Sequence, residues 1–240
     1  MGIKNLLRLS LNFLHLDLTK NLEYDRYTKL IMKRVISSNS NCVDVGCHKG
    51  EILDTILSLS PEGRHFGFEP IPVLFEQLKT KYSGRAEILP YALGNHHGTS
   101  SFQFVKNAPA YSGLNRRKYD IETPDIEEIK VELRTLDELI PAGLKIDFIK
   151  IDVEGGEFGV LKGAKQLILK SNPVIVFESG LGASEFYGTK PADLFRFLTE
   201  ETGMKISLLK SFIERGSQLS PGQFEDSFNS GREYYFIAHS

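Results

Sequence analysis

The sequence predicts an α/β fold in which helices cover both faces of a mostly parallel sheet. From residue 42 onward, short apolar runs typical of buried strands alternate with segments whose apolar residues have helical spacing. Proline near the start and glycine near the end of these segments are typical of helix boundaries. The last two predicted strands have no predicted helix between them, which favours a hairpin-like pair and places one antiparallel strand in the sheet.

The predicted elements follow one another in a regular order. Predicted strands cover residues 42–46, 64–70, 86–95, 98–107, 145–155, 173–179, 205–210 and 232–240, and 131–140 predicts a short strand followed by a helix. Predicted helices cover residues 50–60, 72–84, 156–172 and 190–203. Pro72 and Pro191 lie near helix starts, and Gly84 and Gly203 lie at helix ends.

One domain is predicted over residues 41–240, with a long excursion at about 105–130. Residues 108–130 are polar, charged and weakly periodic, and long excursions in compact domains are typically lids or binding loops. Residues 1–40 predict an N-terminal helical segment that packs on the core or on a sister subunit, because charged and polar residues interrupt its apolar run. A helix on a membrane surface is the alternative for this segment.

The net charge, the apolar runs and the two cysteines indicate which partners and which location to expect. A formal net charge of -2 gives no overall attraction to nucleic acid or to an acidic membrane, and no nucleic-acid partner is expected. No apolar run is long enough for a membrane span. Cys42 and Cys47 flank one turn, and a disulfide between them would distort it. We therefore expect reduced thiols and a cytoplasmic location.

The turn after the first strand contains Asp44, Gly46 and Gly50 in the pattern D-x-G-x-x-x-G. This is neither the dinucleotide pattern G-x-G-x-x-G nor the phosphate-loop pattern. Gly46 permits a tight turn with the backbone close to a ligand. A carboxylate at Asp44 is poorly placed beside a pyrophosphate and well placed beside a cation. The turn therefore favours a ligand with a positive centre and no phosphate; a tight turn without a ligand is the alternative.

Glu69 ends the second strand, 25 residues after Asp44, where an acid accepts hydrogen bonds from ribose hydroxyls. A ligand with a ribose, a cationic centre and no phosphate describes S-adenosylmethionine. Asp44 would bind its ammonium, and the backbone of Gly46 and Cys47 would lie against its amino-acid tail. The candidate cofactor-binding residues, with Ala92 and Leu93 bordering the adenine, are Asp44, Gly46, Cys47, His48, Gly50, Glu69, Pro70, Ala92, Leu93 and Asp152.

Four segments, in this order, resemble the FkbM-type methyltransferases: "VDVGCHKG", "GFEP", "YALGN" and "IKIDVEGGEFGVLKGA". The resemblance covers about residues 40 to 180, and "KIDVEGGEFGVLKG" is its most specific part. It implies the seven-stranded class I (Rossmann-like) methyltransferase fold and dependence on S-adenosylmethionine. It also implies O-methylation, often of a sugar hydroxyl on a natural product or a surface glycan. The chain departs from the family in the first turn, where His48 replaces the usual Asn and Cys47 replaces a frequent Ala.

Three carboxylates near strand ends are the catalytic candidates, namely Asp152, Glu154 and Glu178. The resemblance implies that the sheet edge at Asp152 faces the transferred methyl group. A sugar hydroxyl is a poor nucleophile at neutral pH, so Asp152 is the first candidate for a base or for a group that orients the acceptor. The alternative is that Asp152 binds backbone amides of the Gly155–Gly156 turn and that Glu154 caps the next helix. Mg²⁺ or Ca²⁺ bound by these carboxylates is a minor alternative, and no metal is predicted.

The excursion carries "YSGLNRRKYD", in which Arg116 and Arg117 lie near Tyr111. Aromatic rings stack on sugar faces and arginines bind carboxylates or phosphates, so these three residues are the substrate-binding candidates. A solvated charged loop is the alternative. The sequence as a whole predicts an O-methyltransferase for a small-molecule or glycan hydroxyl, and a homo-oligomer is a further expectation. The rivals are a non-catalytic S-adenosylmethionine-binding module and a nicotinamide oxidoreductase, against which the missing glycines argue.

Overall fold

A computed structural model describes residues 20–119 and 121–240 of the chain. In this part of the chain the strands are β1 (Cys42–Val45), β2 (His65–Phe68), β3 (Glu87–Leu89), β4 (Tyr91–Leu93), β5 (Gly98–Val105), β6 (Ile126–Arg134), β7 (Phe148–Ile151), β8 (Val174–Glu178), β9 (Lys205–Leu208) and β10 (Tyr235–His239). The α-helices are α1 (Lys20–Val35), α2 (Glu51–Leu59), α3 (Pro72–Lys81), α4 (Leu136–Leu139), α5 (Glu157–Lys162), α6 (Lys165–Ser171), α7 (Pro191–Arg196), α8 (Leu209–Ile213) and α9 (Pro221–Ser230).

The main sheet has seven strands in the order β3-β2-β1-β7-β8-β10-β9. β10 is antiparallel to both of its neighbours, and the other pairings are parallel. Every residue of β1, β2 and β7 is buried, as expected for central strands that are covered on both faces. The sheet confirms the predicted α/β fold, with the seven strands that the resemblance implies and the single antiparallel strand predicted from the pairing of the last two strands.

The carboxyl ends of three central strands meet at one edge of this sheet. Val45, the last residue of β1, pairs with Phe68 at the end of β2 and with Ile151 at the end of β7. The residues that follow these strand ends are therefore neighbours, although the chain separates them widely. This edge is where open α/β sheets bind ligands.

The prediction that no helix separates the last two strands is wrong, because α8 and α9 lie between them. A local signal for α9 is present in the sequence. Ser220 and Gln223 form a capping box, with bonds of 2.9 Å and 3.4 Å between backbone and side chain, and Pro221 is the first helical residue. β9 and β10 nevertheless pair antiparallel, because the two helices return the chain to the sheet.

The segment 86–95, predicted as one strand, forms two strands in two sheets. β3 belongs to the main sheet, whereas β4 joins a small sheet of order β4-β6-β5. Residues 126–130, which the sequence assigns to the excursion, belong to β6 and pair with β5. Val131 and Leu133 are the fully buried residues of β6. Because most of its other residues are charged, the strand lacks the clear alternation of apolar and polar residues that predicts a strand.

The helix α1 packs against the main domain through one face. Tyr24, Tyr27, Ile31 and Met32 are buried, and they share a hydrophobic cluster with residues of α2, β1 and β10. Full burial of a side chain such as Ile31 stabilises the fold by about 1.5–3 kcal/mol. The predicted N-terminal helical segment over 1–40 also includes residues 1–19, which lie outside the described residues.

Candidate active site

The first turn contains three residues with positive φ: Gly46 at 82°, His48 at 48° and Gly50 at 79°. A Cβ atom on Gly46 would collide with the carbonyl oxygen of Asp152, and one on Gly50 would collide with the Tyr82 hydroxyl. Both positions therefore require glycine. His48 lies in the left-handed region, which Asn and His adopt more readily than most residues. Histidine thus meets the same backbone requirement as the asparagine that the family usually has there.

Asp44 is a buried carboxyl with an unused acceptor. Its side-chain atom Oδ2 has no hydrogen-bond partner among the described residues. Burial raises the pKa of Asp44 to about 7, and the charge of Lys150 acts in the opposite direction. A positively charged group placed beside Asp44 would supply the missing donor and compensate the burial of the carboxylate.

Glu69 connects the end of β2 to the first turn. Its Oε2 accepts from the His48 backbone N–H at 2.8 Å, and its Oε1 accepts from the Ile71 N–H at 2.9 Å. Burial raises the pKa of Glu69 to about 7, and the two N–H donors partly offset this effect. Each carboxylate oxygen has a second lone pair, so Glu69 still has acceptor capacity for a ligand with hydroxyl groups.

A cavity of about 180 Å³, here called the cofactor cavity, lies at this edge of the sheet. The predicted cofactor residues that line it are Gly46, His48, Glu69, Pro70, Ala92, Leu93 and Asp152. Asp44, Cys47 and Gly50 do not line the cavity; all three are buried in or under the first turn.

Sequence reasoning missed part of the cofactor cavity. The further lining residues include Ile71, Tyr91, Phe102, Pro109, Ala110, Ser112 and Leu114. Most of them come from the small sheet and from the excursion, which the chain brings next to the first turn only through the fold. Their apolar character in sequence indicates packing, so no local signal distinguishes them from core residues.

Asp152 is held by two donors that the sequence does not reveal. Its Oδ2 accepts from Lys150 Nζ at 3.0 Å and from the Tyr235 hydroxyl at 2.6 Å. Lys150 is buried within β7, and its Nζ lies 4.6 Å from the centre of the Tyr235 ring. Burial alone would raise the pKa of Asp152, but the charge of Lys150 and the hydrogen bonds, including one from Glu178, lower it. Asp152 is therefore ionised at neutral pH.

Glu178 has the opposite protonation state. It ends β8, the strand next to β7. Burial, followed by repulsion from Asp152 and Glu157, raises the pKa of Glu178 well above its usual range. Two neighbouring carboxyl groups in a buried site do not both ionise easily, so the proton resides on Glu178.

The role of binding the backbone amides of the turn after β7, considered above for Asp152, belongs to Glu157. Glu157 Oε1 accepts from the backbone N–H groups of Val153 and Gly155, each at 3.0 Å. Burial raises the pKa of Glu157 to about 7, and these amide donors lower it in part. Glu157 thus stabilises the turn that follows β7, and Asp152 is left to face the cavities.

The remaining catalytic candidate, Glu154, forms an ion pair with Arg117 of the excursion. Glu154 has a φ of 58°, and the Arg117 guanidinium lies 5.4 Å from the centre of the Tyr111 ring. Arg116 instead donates to the Gln103 side chain at 3.2 Å and lines neither cavity. Among the substrate candidates, the fold therefore brings Tyr111 and Arg117 to the site and leaves Arg116 outside it.

A larger cavity of about 930 Å³ adjoins the cofactor cavity and is here called the acceptor cleft, because the predicted substrate residues Tyr111 and Arg117 line it. Ala110, Asp152 and Glu154 line both cavities. Tyr111, Arg117 and Glu178 line the cleft alone. Asp152 thus lies at the boundary between two compartments, which is the position required of a group that acts where two ligands meet.

Three further observations concern the described part of the chain. It contains no cluster of three or more His, Cys, Asp or Glu side chains arranged to hold a metal ion. None of its helices is long and apolar enough to cross a membrane. Cys42 and Cys47 are both free thiols.

Two known proteins are related to this chain in sequence. It is 28% identical over 162 residues to the methyltransferase sdnD of Sordaria araneosa, in a match that covers 55% of this chain and 62% of that protein. It is 30% identical over 148 residues to the hexuronic acid methyltransferase AglP of Haloferax volcanii, covering 59% of this chain and 55% of that protein. The chain therefore spans less than two thirds of the length of these relatives.

A solved structure and a family model agree with these relatives. The methyltransferase FkbM of Methylobacillus flagellatus KT shares the fold, with a TM-score of 0.53 at 17% identity over 85% of this chain and 44% of that chain. The model of the methyltransferase FkbM domain matches residues 44–205, which is more than half of the sequence. The chain belongs to the methyltransferase FkbM family.

Proposed function

We propose that this protein transfers a methyl group from S-adenosylmethionine to a hydroxyl oxygen of a sugar, glycan or natural product. One observation carries the proposal: Asp152, an ionised carboxylate, lines both the cofactor cavity and the acceptor cleft. Family membership assigns S-adenosylmethionine as the cofactor. The relation to a hexuronic acid methyltransferase supports a sugar acceptor, and family membership favours this function over a nicotinamide oxidoreductase.

The residues around the cofactor cavity fit S-adenosylmethionine. Glu69 would accept hydrogen bonds from the ribose hydroxyls with its remaining lone pairs. Asp44 would accept from the ammonium of the amino-acid tail, directly or through water, and so satisfy its Oδ2. Ala92 and Leu93 would border the adenine. When bound, the cofactor supplies a methyl group on a positively charged sulfur.

Asp152 would hold the acceptor hydroxyl and receive its proton. Lys150 and Tyr235 fix the carboxylate in one orientation and keep it ionised. A carboxylate with a lowered pKa is a weak base, so its main contribution is to place the oxygen of the hydroxyl in line for attack. Glu178, which carries a proton, donates toward Asp152 and leaves the base role to it.

Calorimetry with S-adenosylhomocysteine tests the cofactor site. Glu69→Ala removes an acceptor of charge-assisted hydrogen bonds, so we expect the affinity to fall at least about tenfold. Glu76→Ala, at an exposed position of α3, is the control and should bind like the wild type. Equal binding by Glu69→Ala and the wild type would show that the cofactor residues are assigned wrongly.

Turnover with a labelled methyl donor and a panel of glycan acceptors tests the reaction. Asp152→Asn keeps the shape of the side chain and removes its charge, so we expect kcat to fall about 100-fold. Asp226→Asn, at an exposed position of α9, is the control. Near-normal turnover by Asp152→Asn would remove Asp152 as base. Binding of S-adenosylhomocysteine without methyl transfer to any acceptor would favour the non-catalytic module.

A further inference from the structure

We infer that α1 and the residues just before β10 form a binding wall of the acceptor cleft, and that this cleft takes an uncharged, hydroxyl-rich ring in preference to an anionic one. The inference rests on the proposed function and adds the charge class of the acceptor. The wall lies outside residues 44–205, the part that matches the family model. It is therefore a feature of this chain that the family assignment does not supply.

The wall is a connected structure. Asn21, Tyr24 and Thr28 of α1 and Tyr234 all line the cleft. The Tyr234 hydroxyl donates to the Asn21 side chain at 2.6 Å. The rings of Tyr24 and Tyr234 make an edge contact with centres 4.8 Å apart. The Tyr24 hydroxyl in turn donates to Glu233 at 2.6 Å. These contacts hold α1 against the segment just before β10, so the wall is preorganised.

The size and the aromatic content of the cleft suit a sugar. Its volume of about 930 Å³ is near the upper end of the range for small-molecule sites, about 300–1,000 Å³. Four tyrosines line it: Tyr24, Tyr111, Tyr234 and Tyr235. Tyrosine combines an apolar ring with a hydroxyl group, which matches a ligand with apolar C–H faces and a polar rim.

The charges of the cleft disfavour an anion. The cations among the described lining residues are Arg117 and Lys150. Arg117 is paired with Glu154, and Lys150 is paired with Asp152 at 3.0 Å. A carboxylate or phosphate on the acceptor would compete with Glu154 or Asp152 for its cation and would lie close to that carboxylate. An uncharged ring makes its hydrogen bonds without this repulsion.

Matched oligosaccharides test the charge class directly. The full-length protein, saturated with S-adenosylhomocysteine, is titrated with pairs that differ only at C6 of one hexose, which carries a hydroxymethyl group or a carboxylate. We expect the neutral member to bind at least about fivefold more tightly, the effect of one unit-charge repulsion at about 4 Å in water. Equal or tighter binding of the carboxylate member, or no binding of any pair, overturns the inference. A protein that fails to bind S-adenosylhomocysteine refutes the proposed function instead.

A charge variant extends the test. Leu181 lines the cleft and is 53% exposed, and Leu169 on α6 is 49% exposed and does not line it. Leu181→Arg places an additional cation in the cleft, so it should reduce the preference for the neutral sugar at least about fivefold. Leu169→Arg should leave the preference unchanged. An unchanged preference in Leu181→Arg would contradict the electrostatic argument.

A second pair of variants tests the α1 wall. Asn21→Ala should weaken binding of the neutral sugar about fivefold, because it removes a lining amide and the partner of the Tyr234 hydroxyl. Lys29→Ala, an exposed position of the same helix outside the cleft, should have no effect. Equal sugar affinities of Asn21→Ala and Lys29→Ala would remove α1 from the acceptor site.

Discussion

The affinity for the cofactor should rise steeply between pH 6 and pH 7, because the two buried carboxyl groups proposed to bind it, Asp44 and Glu69, must ionise first. Burial is the main cause that raises the pKa of Asp44 and of Glu69 to about 7. Each group is therefore about half protonated at pH 7 in the cofactor-free protein. An ammonium group and ribose hydroxyls both bind the ionised carboxylates, so binding should release protons.

The magnitude follows from the two pKa values. Protonation of one group with a pKa of about 7 weakens the apparent affinity about elevenfold at pH 6 and about twofold at pH 7, relative to the limit at high pH. One carboxyl therefore contributes about a fivefold change in Kd over this interval. Two groups that titrate independently contribute about thirtyfold, and the complex should release about one proton in total at pH 7.

Calorimetry with S-adenosylhomocysteine at pH 6, 6.5 and 7, in two buffers of different ionisation enthalpy, measures both quantities. Asp44→Asn should reduce the pH dependence to about fivefold, because only Glu69 then titrates. Glu157→Gln is the control: burial also raises the pKa of Glu157 to about 7, but its side chain accepts from the backbone N–H groups of Val153 and Gly155 in the turn after β7 and is not a proposed cofactor ligand. A Kd that is constant from pH 6 to 7, without proton release, would refute the assignment of these two carboxyls to the cofactor.

Three further predictions follow from the geometry. Tyr235→Phe removes the 2.6 Å hydrogen bond to Asp152, which should raise the pKa of Asp152. The acid limb of the pH profile of kcat should therefore move to higher pH by about one unit. The control Tyr234→Phe, whose hydroxyl bonds to Asn21, should leave that limb in place; equal profiles would contradict the role of Tyr235. Gly46→Ala should lower the free energy of unfolding, measured in urea, by at least about 3 kcal/mol. The control Gly143→Ala should lower it by about 1 kcal/mol, because Gly143 also has a positive φ, 87°, but has open space around it. Equal losses would show that the contact with Asp152 is unimportant. Asp44, Glu69 and Glu157 have folded-state pKa values raised to about 7, so each stabilises the cofactor-free protein at low pH and loses this effect as the pH rises through 7. The Tm of the cofactor-free protein should therefore fall from pH 5 to pH 8. A Tm that rises over this range would contradict the protonated state of these groups.

The sequence predicts the central sheet well because buried parallel strands are short, mostly apolar runs that water-exposed segments do not imitate. β1, β2 and β7 are of this type. β6 escapes prediction because it packs one face only and carries charged residues on the other. The helix α9 escapes prediction although Ser220 gives a capping signal, because Phe224 and Phe228 are its buried residues and its apolar periodicity is weak.

The site residues that directly follow a strand end can be predicted from the sequence. The residues that act through contact with a neighbouring strand cannot. Glu69 and Asp152 follow the ends of β2 and β7, and the topology brings both to the cofactor cavity. Lys150 lies inside "IKID", where an isolated lysine in an apolar run gives no indication of its partner. Tyr235 is 83 residues from Asp152 in the chain, and only the position of β10 in the sheet brings the two together.

The contact between Gly46 and Asp152 joins the two halves of the site. The first turn can approach the end of β7 only because Gly46 has no Cβ atom, and Asp152 N–H donates to the Val45 carbonyl at 3.0 Å just before this turn. A shift of the turn would therefore displace Asp152, and a shift of Asp152 would displace the backbone proposed to lie against the cofactor. The glycine proposed to permit cofactor binding also fixes the group proposed to orient the acceptor, so a substitution at residue 46 should impair cofactor affinity and turnover together.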